Sequence, residues 1–248
     1  MFQPFRRIRP NPSSTVRRHR SARECRASVK LTAASDTGQT GTSLAANTSQ
    51  SNAARDVLQS RKAAVRAAAL ARRAALDPHA RIEGSLALVA HVDALDFPQG
   101  AIVSGFWPIR DEIDPRPLMD TLRARGHALC LPAIVDNELV FRSLTRETGL
   151  VRAGFGTVEP PAEAEELVPE CLLVPLAAFD LRGGRIGYGR GYYDRAIARI
   201  ARELGHRPAT VGLAFSAQRA DAVPEEAHDQ RLDRILTEAG LMEFKDRE

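Results

Sequence analysis

The chain turns on residues 171–201. They read Cys171-Leu-Leu-Val-Pro-Leu176, then a short Ala-Ala link. Next comes Phe179-Asp-Leu-Arg-Gly-Gly-Arg-Ile-Gly-Tyr-Gly-Arg-Gly-Tyr-Tyr-Asp-Arg195, followed by Ala196-Ile-Ala-Arg-Ile-Ala201. The first segment is a short, bounded apolar run, the mark of a buried strand. The last has helical spacing. Between them lie five glycines, four arginines, three tyrosines and two aspartates. A strand, a glycine-rich loop and a helix in that order make a phosphate cradle. Glycines let backbone N–H groups approach an anion, and the helix N-terminus adds partial positive charge. Arg185 and Arg190 would add full charges. A glycine-rich loop alone is often only a tight turn, but the arginines, tyrosines and Asp194 around this one point to function.

Outward from this stretch the chain alternates strand-like and helix-like segments. Ala101-Ile-Val-Ser-Gly-Phe-Trp107 reads as a buried strand. Pro115 to Arg125 reads as a helix, with Leu118 and Leu122 inward and Gly126 as its stop. His127–Leu131 and Leu139–Leu144 read as strands, the second near an edge. Residues 146–169 read as loop. Thr210–Phe215 and Arg234–Thr237 read as further strands. Upstream, Val57–Leu76 is rich in Ala and Arg without Gly or Pro and predicts a long helix. Asp77-Pro78 ends it and caps another, in which Ile82, Leu86, Val89 and Ala90 recur at helical spacing through Val92. The pattern predicts a three-layer α/β/α, Rossmann-like fold around a mostly parallel sheet. Ligands of such sheets bind at the carboxyl ends of the strands. The loops after Trp107, Leu176 and Phe215 should therefore share one rim.

The 248-residue chain carries a net charge of +4, but the charge is not evenly spread. Residues 1–50 hold eight Arg and one Lys against Glu24 and Asp36, a balance of +7 that leaves −3 for the rest. The basicity thus belongs to the N-terminal segment and argues little for nucleic-acid binding by the body. Residues 1–52 read as a disordered basic extension, transit-like or dispensable. Residues 53–248 read as one catalytic domain. The location is then cytoplasmic, or mitochondrial or plastid if the extension is a transit peptide. No apolar run is long enough for a membrane span. Cys25, Cys130 and Cys171 have no metal-like spacing and fit a reducing compartment.

Four constellations carry possible chemistry. The glycine loop fits neither Gly-x-x-x-x-Gly-Lys-Ser/Thr nor Gly-x-Gly-x-x-Gly. Asp194, in the first turn of the following helix, is either an Mg²⁺ carboxylate or a partner of the helix dipole or of Arg190. Glu112, in Trp107-Pro-Ile-Arg-Asp-Glu-Ile113, is either the receiver of a donor-rich heterocycle or a solvated loop charge. Trp107 either stacks on a ring or belongs to the core. Lys62 and Arg66, one helical turn apart, reach a polyphosphate or solvate a helix face. In Val223-Pro-Glu-Glu-Ala-His-Asp229, Asp229 is a second candidate metal carboxylate. His228 is a candidate base, or a capping or packing residue.

Taken together, these segments resemble the 5-formyltetrahydrofolate cyclo-ligase family, also called methenyltetrahydrofolate synthetases. The strongest match is Gly184-Arg-Ile-Gly-Tyr-Gly-Arg-Gly-Tyr-Tyr-Asp-Arg195, and the likeness covers about residues 55 to 240. The resemblance implies an ATP- and Mg²⁺-dependent conversion of 5-formyltetrahydrofolate to 5,10-methenyltetrahydrofolate, ADP and phosphate. It implies ATP contacts from Lys62, Arg66, Arg185, Ile186, Gly187, Tyr188, Gly189, Arg190, Gly191, Tyr192 and Tyr193. Trp107, Glu112, Tyr188, Gly189, Arg190, Gly191 and Tyr192 would hold the folate, with or without a polyglutamate tail. Asp194 and Asp229 would bind Mg²⁺, and Arg185, Tyr192 and Asp194 would be catalytic. Trp107, Tyr188 and Arg190 fall at places where the family varies. The expectation is a monomer acting on two small ligands, and the near-neutral body and lack of a long apolar run argue against nucleic acid and membrane partners.

The chemistry agrees with the residue inventory. The nucleophiles come from the substrate, so no Ser/His/Asp or Cys/His arrangement is needed. The protein aligns two ligands and neutralises phosphate charge. Two other classes compete: a folate- or nucleotide-binding module without turnover, and a nucleic-acid binder using the basic extension.

Overall fold

The structure, a computed structural model, describes residues 42–244. The expectations for residues 1–41 lie outside the described residues. The elements below belong to the compact unit Ala45–Glu248, apart from the first residues of the opening helix.

The first helix, α1, spans Thr42–Ala74 and so begins before the Ala53 expected as the start of order. Asp77 caps α2, Pro78–Ala87, by accepting from the His79 and Ala80 backbone N–H groups. The helix then tightens into 3₁₀ turns at Leu88–His91 and Asp93–Leu95. That tightening corrects the predicted apolar face. Leu88 and Leu95 are buried, whereas Ile82 and Leu86 are exposed.

In chain order there follow β1 (Ile102–Ser104), α3 (Arg116–Ala124), β2 (Ala128–Val135) and β3 (Glu138–Ser143). The short strands β4 (Val151–Arg152) and β5 (Val158–Glu159) pair within the region read as loop. Next come β6 (Cys171–Pro175), β7 (Ala178–Phe179), β8 (Arg185–Ile186), α4 (Tyr192–Leu204) and β9 (Ala209–Leu213). Finally, β10 (Arg234–Thr237) pairs with β11 (Gly240–Glu243), a strand that the sequence pattern does not announce.

Seven strands form the main sheet in the order β11-β10-β9-β6-β1-β2-β3. Neighbours from β10 to β2 are parallel, and the outer pairs β10/β11 and β2/β3 are antiparallel. The expected edge position of the 139–144 strand is borne out. Cys171 and Leu173 of β6 face one apolar layer, with Leu88, Leu118 and Leu122. Leu172 and Val174 face the other, with Ala196, Ile197 and Ile200 of α4. The mostly parallel sheet covered on both faces is thus the predicted α/β architecture.

After β1 the chain proceeds outward through β2 to β3; after β6 it proceeds the opposite way through β9 to β10. The direction of winding reverses between β1 and β6, and a ligand crevice forms at such a switch point. The loops leaving β1 and β6 therefore open side by side. Among the described residues no helix is long and apolar enough to cross a membrane.

Candidate active site

The glycine-rich stretch is not a plain loop. It opens with the hairpin β7/β8, whose turn is organised by Asp180. This fully buried carboxylate accepts from the backbone N–H groups of Arg182 (2.9 Å), Gly184 (3.1 Å) and Val223 (2.9 Å), and from the Arg182 side chain. A Cβ on Gly184 would lie 2.8 Å from Glu225 Oε1 and 3.1 Å from Asp180 Oδ1, so a side chain there would push the Glu225 carboxylate aside and crowd the carboxylate that organises the turn. Burial alone would raise the Asp180 pKa, but these donors outweigh it and hold the group below the ordinary aspartate range.

Beyond the hairpin, Gly189 and Gly191 adopt φ of +90° and +63°, conformations that glycine takes without strain. Gly191 is the N-cap of α4 and contributes no side chain to the helix end. The first turn of α4 carries Asp194, as the sequence predicted.

The expected common rim exists. A cavity of about 730 Å³ is walled by Trp107 and Glu112 after β1, by Arg185–Asp194 after β6, and by Glu226, His228 and Asp229 after β9. Lys62 and Arg66 of α1 line it as well, and so do Pro132 and Ile134 of β2, Leu139 of β3 and the 153–159 segment. Every residue nominated from the sequence therefore lies around one cavity.

Lys62 is buried, and its ammonium sits between Glu226 (2.7 Å) and Asp229 (2.5 Å). Burial works against its charge, yet the two carboxylates prevail and raise its pKa. Arg66 donates through Nε to the Gly187 carbonyl at 2.8 Å and so ties α1 to the glycine loop. Arg185 pairs with Asp194 at 2.7 Å rather than facing solvent. Burial lowers the Arg185 pKa despite the Asp194 and Asp229 charges, and its Nε has no partner among the described residues. The buried Tyr193 hydroxyl is likewise without a partner among them. Both residues line the cavity, but these two donor atoms lie buried within its wall, where leaving them unpaired is costly.

Glu112 accepts from the Ile109 backbone N–H (2.9 Å) and from the Tyr188 hydroxyl. Burial raises its pKa, against the pull of those two donors. Trp107 is half-buried; the Arg116 guanidinium lies 4.9 Å from its ring centroid, and the ring also packs against the core. Tyr192 donates to Asn137 Oδ1 at 3.1 Å and lies under the Arg195 guanidinium.

Glu226, His228 and Asp229 bring one ligand atom each within 4.8 Å of one another. Carboxylate oxygens suit Mg²⁺, which prefers one or two of them beside phosphate and water. Lys62 already shows that a cation is accepted there. Asp194 is outside this trio but near it, because its Oδ1 accepts from the Gln230 N–H at 2.9 Å. Sequence reasoning passes over Glu226, Asp180 and Arg73. Glu226 stands in the 223–229 segment but is indistinguishable there from Glu225, which pairs with Arg231 instead.

The profile of the 5-formyltetrahydrofolate cyclo-ligase family matches residues 58–238. The mouse 5-formyltetrahydrofolate cyclo-ligase is 27% identical over 193 residues, covering 73% of this chain and 95% of that protein. The Mycolicibacterium smegmatis protein of the same name is 32% identical over 151 residues, covering 56% and 74%. The NMR structure of Aquifex aeolicus 5,10-methenyltetrahydrofolate synthetase superposes with a TM-score of 0.64 at 30% identity, covering 75% of this chain and 94% of that one. The glycine signature, the three-loop cavity and these likenesses converge: the chain is an enzyme of the 5-formyltetrahydrofolate cyclo-ligase family.

Proposed function

We propose that this chain converts 5-formyltetrahydrofolate to 5,10-methenyltetrahydrofolate, with ATP converted to ADP and phosphate. The observation that carries this reading is one cavity that joins a cationic, glycine-rich wall to a carboxylate wall. Lys62, Arg66, Arg185 and the glycine backbone form the first, and Glu112 forms the second. The catalytic unit begins within α1 near Ala53, which the start of the family match at residue 58 supports.

In this reading the formyl oxygen attacks the terminal phosphorus of ATP, and ADP leaves. The neighbouring folate N–H nitrogen then attacks the activated carbon and gives up its proton, and the carbon–oxygen bond breaks to release phosphate, which carries that proton away. The protein's contribution is alignment and charge. Backbone N–H groups from Gly187 to Gly191 and the N-terminus of α4 receive phosphate oxygens. Arg185, held by Asp194, adds a fixed positive charge. Glu112 accepts from the heterocycle, and Trp107 and Tyr192 bound the ring. Asp229, with Glu226 and Asp194 at hand, would hold Mg²⁺, which when bound neutralises phosphate charge. Lys62 can serve ATP only by leaving Glu226 and Asp229, so its three partners compete for one ammonium.

The test is turnover by the full chain with ATP, Mg²⁺ and 5-formyltetrahydrofolate, read as near-ultraviolet absorbance of the methenyl product. Absence of product with a folded protein overturns the proposal. Ligand-induced stabilisation without ADP release would leave the binding module as the answer. Asp194→Asn should fold yet lose most activity. Glu112→Gln should weaken folate binding more than ATP binding, and equal effects would remove Glu112 from the folate.

A further inference from the structure

We infer that Arg73 is a positioning residue for Glu112. Through Tyr188 and Asp111, its guanidinium fixes the carboxylate so that it presents only acceptors to the cavity. This rests on the reading of Glu112 as the receiver of the folate heterocycle.

Arg73 sits in the last turn of α1 and is 3% exposed. Its side chain lies behind the cavity wall, so it cannot act by touching the ligand. One terminal nitrogen donates to the Tyr188 hydroxyl at 3.1 Å. The other donates to Asp111 Oδ1 at 2.8 Å. Tyr188 in turn donates to Glu112 Oε1, and the Ile109 N–H donates to Glu112 Oε2.

The direction of these bonds carries the inference. A guanidinium has donors and no acceptor. At Arg73 the Tyr188 oxygen must therefore accept, which leaves its single hydrogen for Glu112. The relay has one polarity, and it ends on a carboxylate that receives from behind on both oxygens. Glu112 lines the cavity, so the lone pairs that these donors leave unused are the acceptors it can offer there. A heterocycle edge with two adjacent N–H donors is the complementary partner.

The second arm fixes the backbone. Asp111 lies in the turn closed by the Glu112 N–H to the Ile109 carbonyl at 3.1 Å. Within that turn Arg110 has φ of +54°, a conformation that costs free energy in a non-glycine residue. The Arg73–Asp111 pair holds the turn closed and so places the base of the Glu112 side chain. The Arg73 charge also opposes the rise in Glu112 proton affinity that burial causes. Arg73 Nε has no partner among the described residues, although it is buried. Stability alone does not favour a buried guanidinium with an unpaired donor. A lysine cannot replace it, because the two acceptors are served by two separate nitrogens of one rigid fork.

The experiment uses the full chain and four variants: Arg73→Lys, Arg73→Met, Tyr188→Phe and Glu112→Gln. The kcat, the KM for each substrate and the Tm are measured for each. Arg73→Lys and Arg73→Met should raise the folate KM about tenfold, the effect of losing one charge-assisted hydrogen bond, and leave the ATP KM within about twofold. Arg73→Lys keeps a charge for Asp111 and should lose less Tm than Arg73→Met, while its folate KM stays raised. Combining Tyr188→Phe with Arg73→Lys should weaken folate little beyond the worse single variant, since both break one relay. Equal rises in both KM values, or a fall in Tm with unchanged folate KM, would overturn the inference. If Glu112→Gln weakens folate and neither Arg73 variant does, the Arg73 inference alone falls. If Glu112→Gln leaves folate binding native, the reading of Glu112 falls with it. Should Arg73→Met fail to fold, the Arg73→Lys results decide by the same criteria.

Discussion

Lys62 offers the most direct test of how the site handles charge. Its ammonium lies 2.7 Å from Glu226 and 2.5 Å from Asp229, with side chains 10%, 15% and 21% exposed. Lys62→Met keeps the stem and removes the cation, leaving two carboxylates side by side. Breaking a fully buried pair costs about 3–5 kcal/mol, whereas an exposed pair contributes about 0.2–1 kcal/mol. The partial exposure here places the expected loss at about 2–3 kcal/mol. For a body of this size that is a fall in Tm of about 5–10 °C. Losing the ammonium also makes the pair a better divalent site. At about ten times its dissociation constant, Mg²⁺ would return about 1.4 kcal/mol to the variant. The native chain, whose carboxylates are already neutralised, should gain less from Mg²⁺ without nucleotide. Thermal unfolding of both proteins across an Mg²⁺ titration, with Ca²⁺ and NaCl as controls, reads this out. A native Tm for Lys62→Met, or equal Mg²⁺ gains in the two proteins, would refute the charge argument.

Asp180→Asn should cost about 3 kcal/mol near neutral pH, because an amide cannot accept from five converging N–H donors. The folded Asp180 pKa is depressed, so its stabilisation is present above the ordinary value of about 3.9 and is lost as pH falls through the folded value. The gap in stability between Asp180→Asn and the native chain should therefore close in acid; a constant gap from neutral pH to about pH 2 would contradict it. Burial pushes the Cys130 and Cys171 thiols up to about 12. Neither should react with a thiol alkylating reagent at about pH 8 in the folded protein, where the thiolate is the reactive form. Mass spectrometry of those two peptides, with an unfolded control, would show it.

The sheet was legible because buried parallel strands leave apolar runs, and 102–104, 128–131, 171–175 and 209–213 all lie in such runs, although β2 continues to Val135, past the Leu131 at which the pattern ends it. The glycine stretch was legible as chemistry but not as a hairpin. Its turn depends on Asp180 accepting from Val223, 43 residues away, and no local period records that contact. Ile82 and Leu86 show the limit of helical spacing. It finds a stripe, but the 3₁₀ tightening after Ala87 rotates the chain and gives the core to Leu88 and Leu95. Glu226 and Arg73 were hidden for a different reason. Each stands beside a residue of the same type, Glu225 and Arg72, and only the tertiary partner separates them. Arg72 donates to the Ala217 and Arg219 carbonyls, whereas Arg73 enters the Glu112 network.

One signal for Arg73 was present in the sequence nonetheless. Lys62, Arg66, Ala69 and Arg73 stand at i, i+4, i+7 and i+11, which is one face of a helix. The structure shows why that face matters. Ala69, fully buried, packs with Ala178, Ile186 and Val223, and this small apolar contact seats α1 on the β7/β8 hairpin. The three cations along the same face then reach three loops that are distant in the chain. Lys62 binds the 226–229 segment, Arg66 the Gly187 carbonyl, and Arg73 both Asp111 and Tyr188. The winding reversal between β1 and β6 brings the loops to one crevice, but it does not set their spacing. A rigid helix bonded to all three does so, within the tolerance that two-ligand alignment demands. The arginine-rich helix that reads as a solvated surface is, on this one face, the frame of the site.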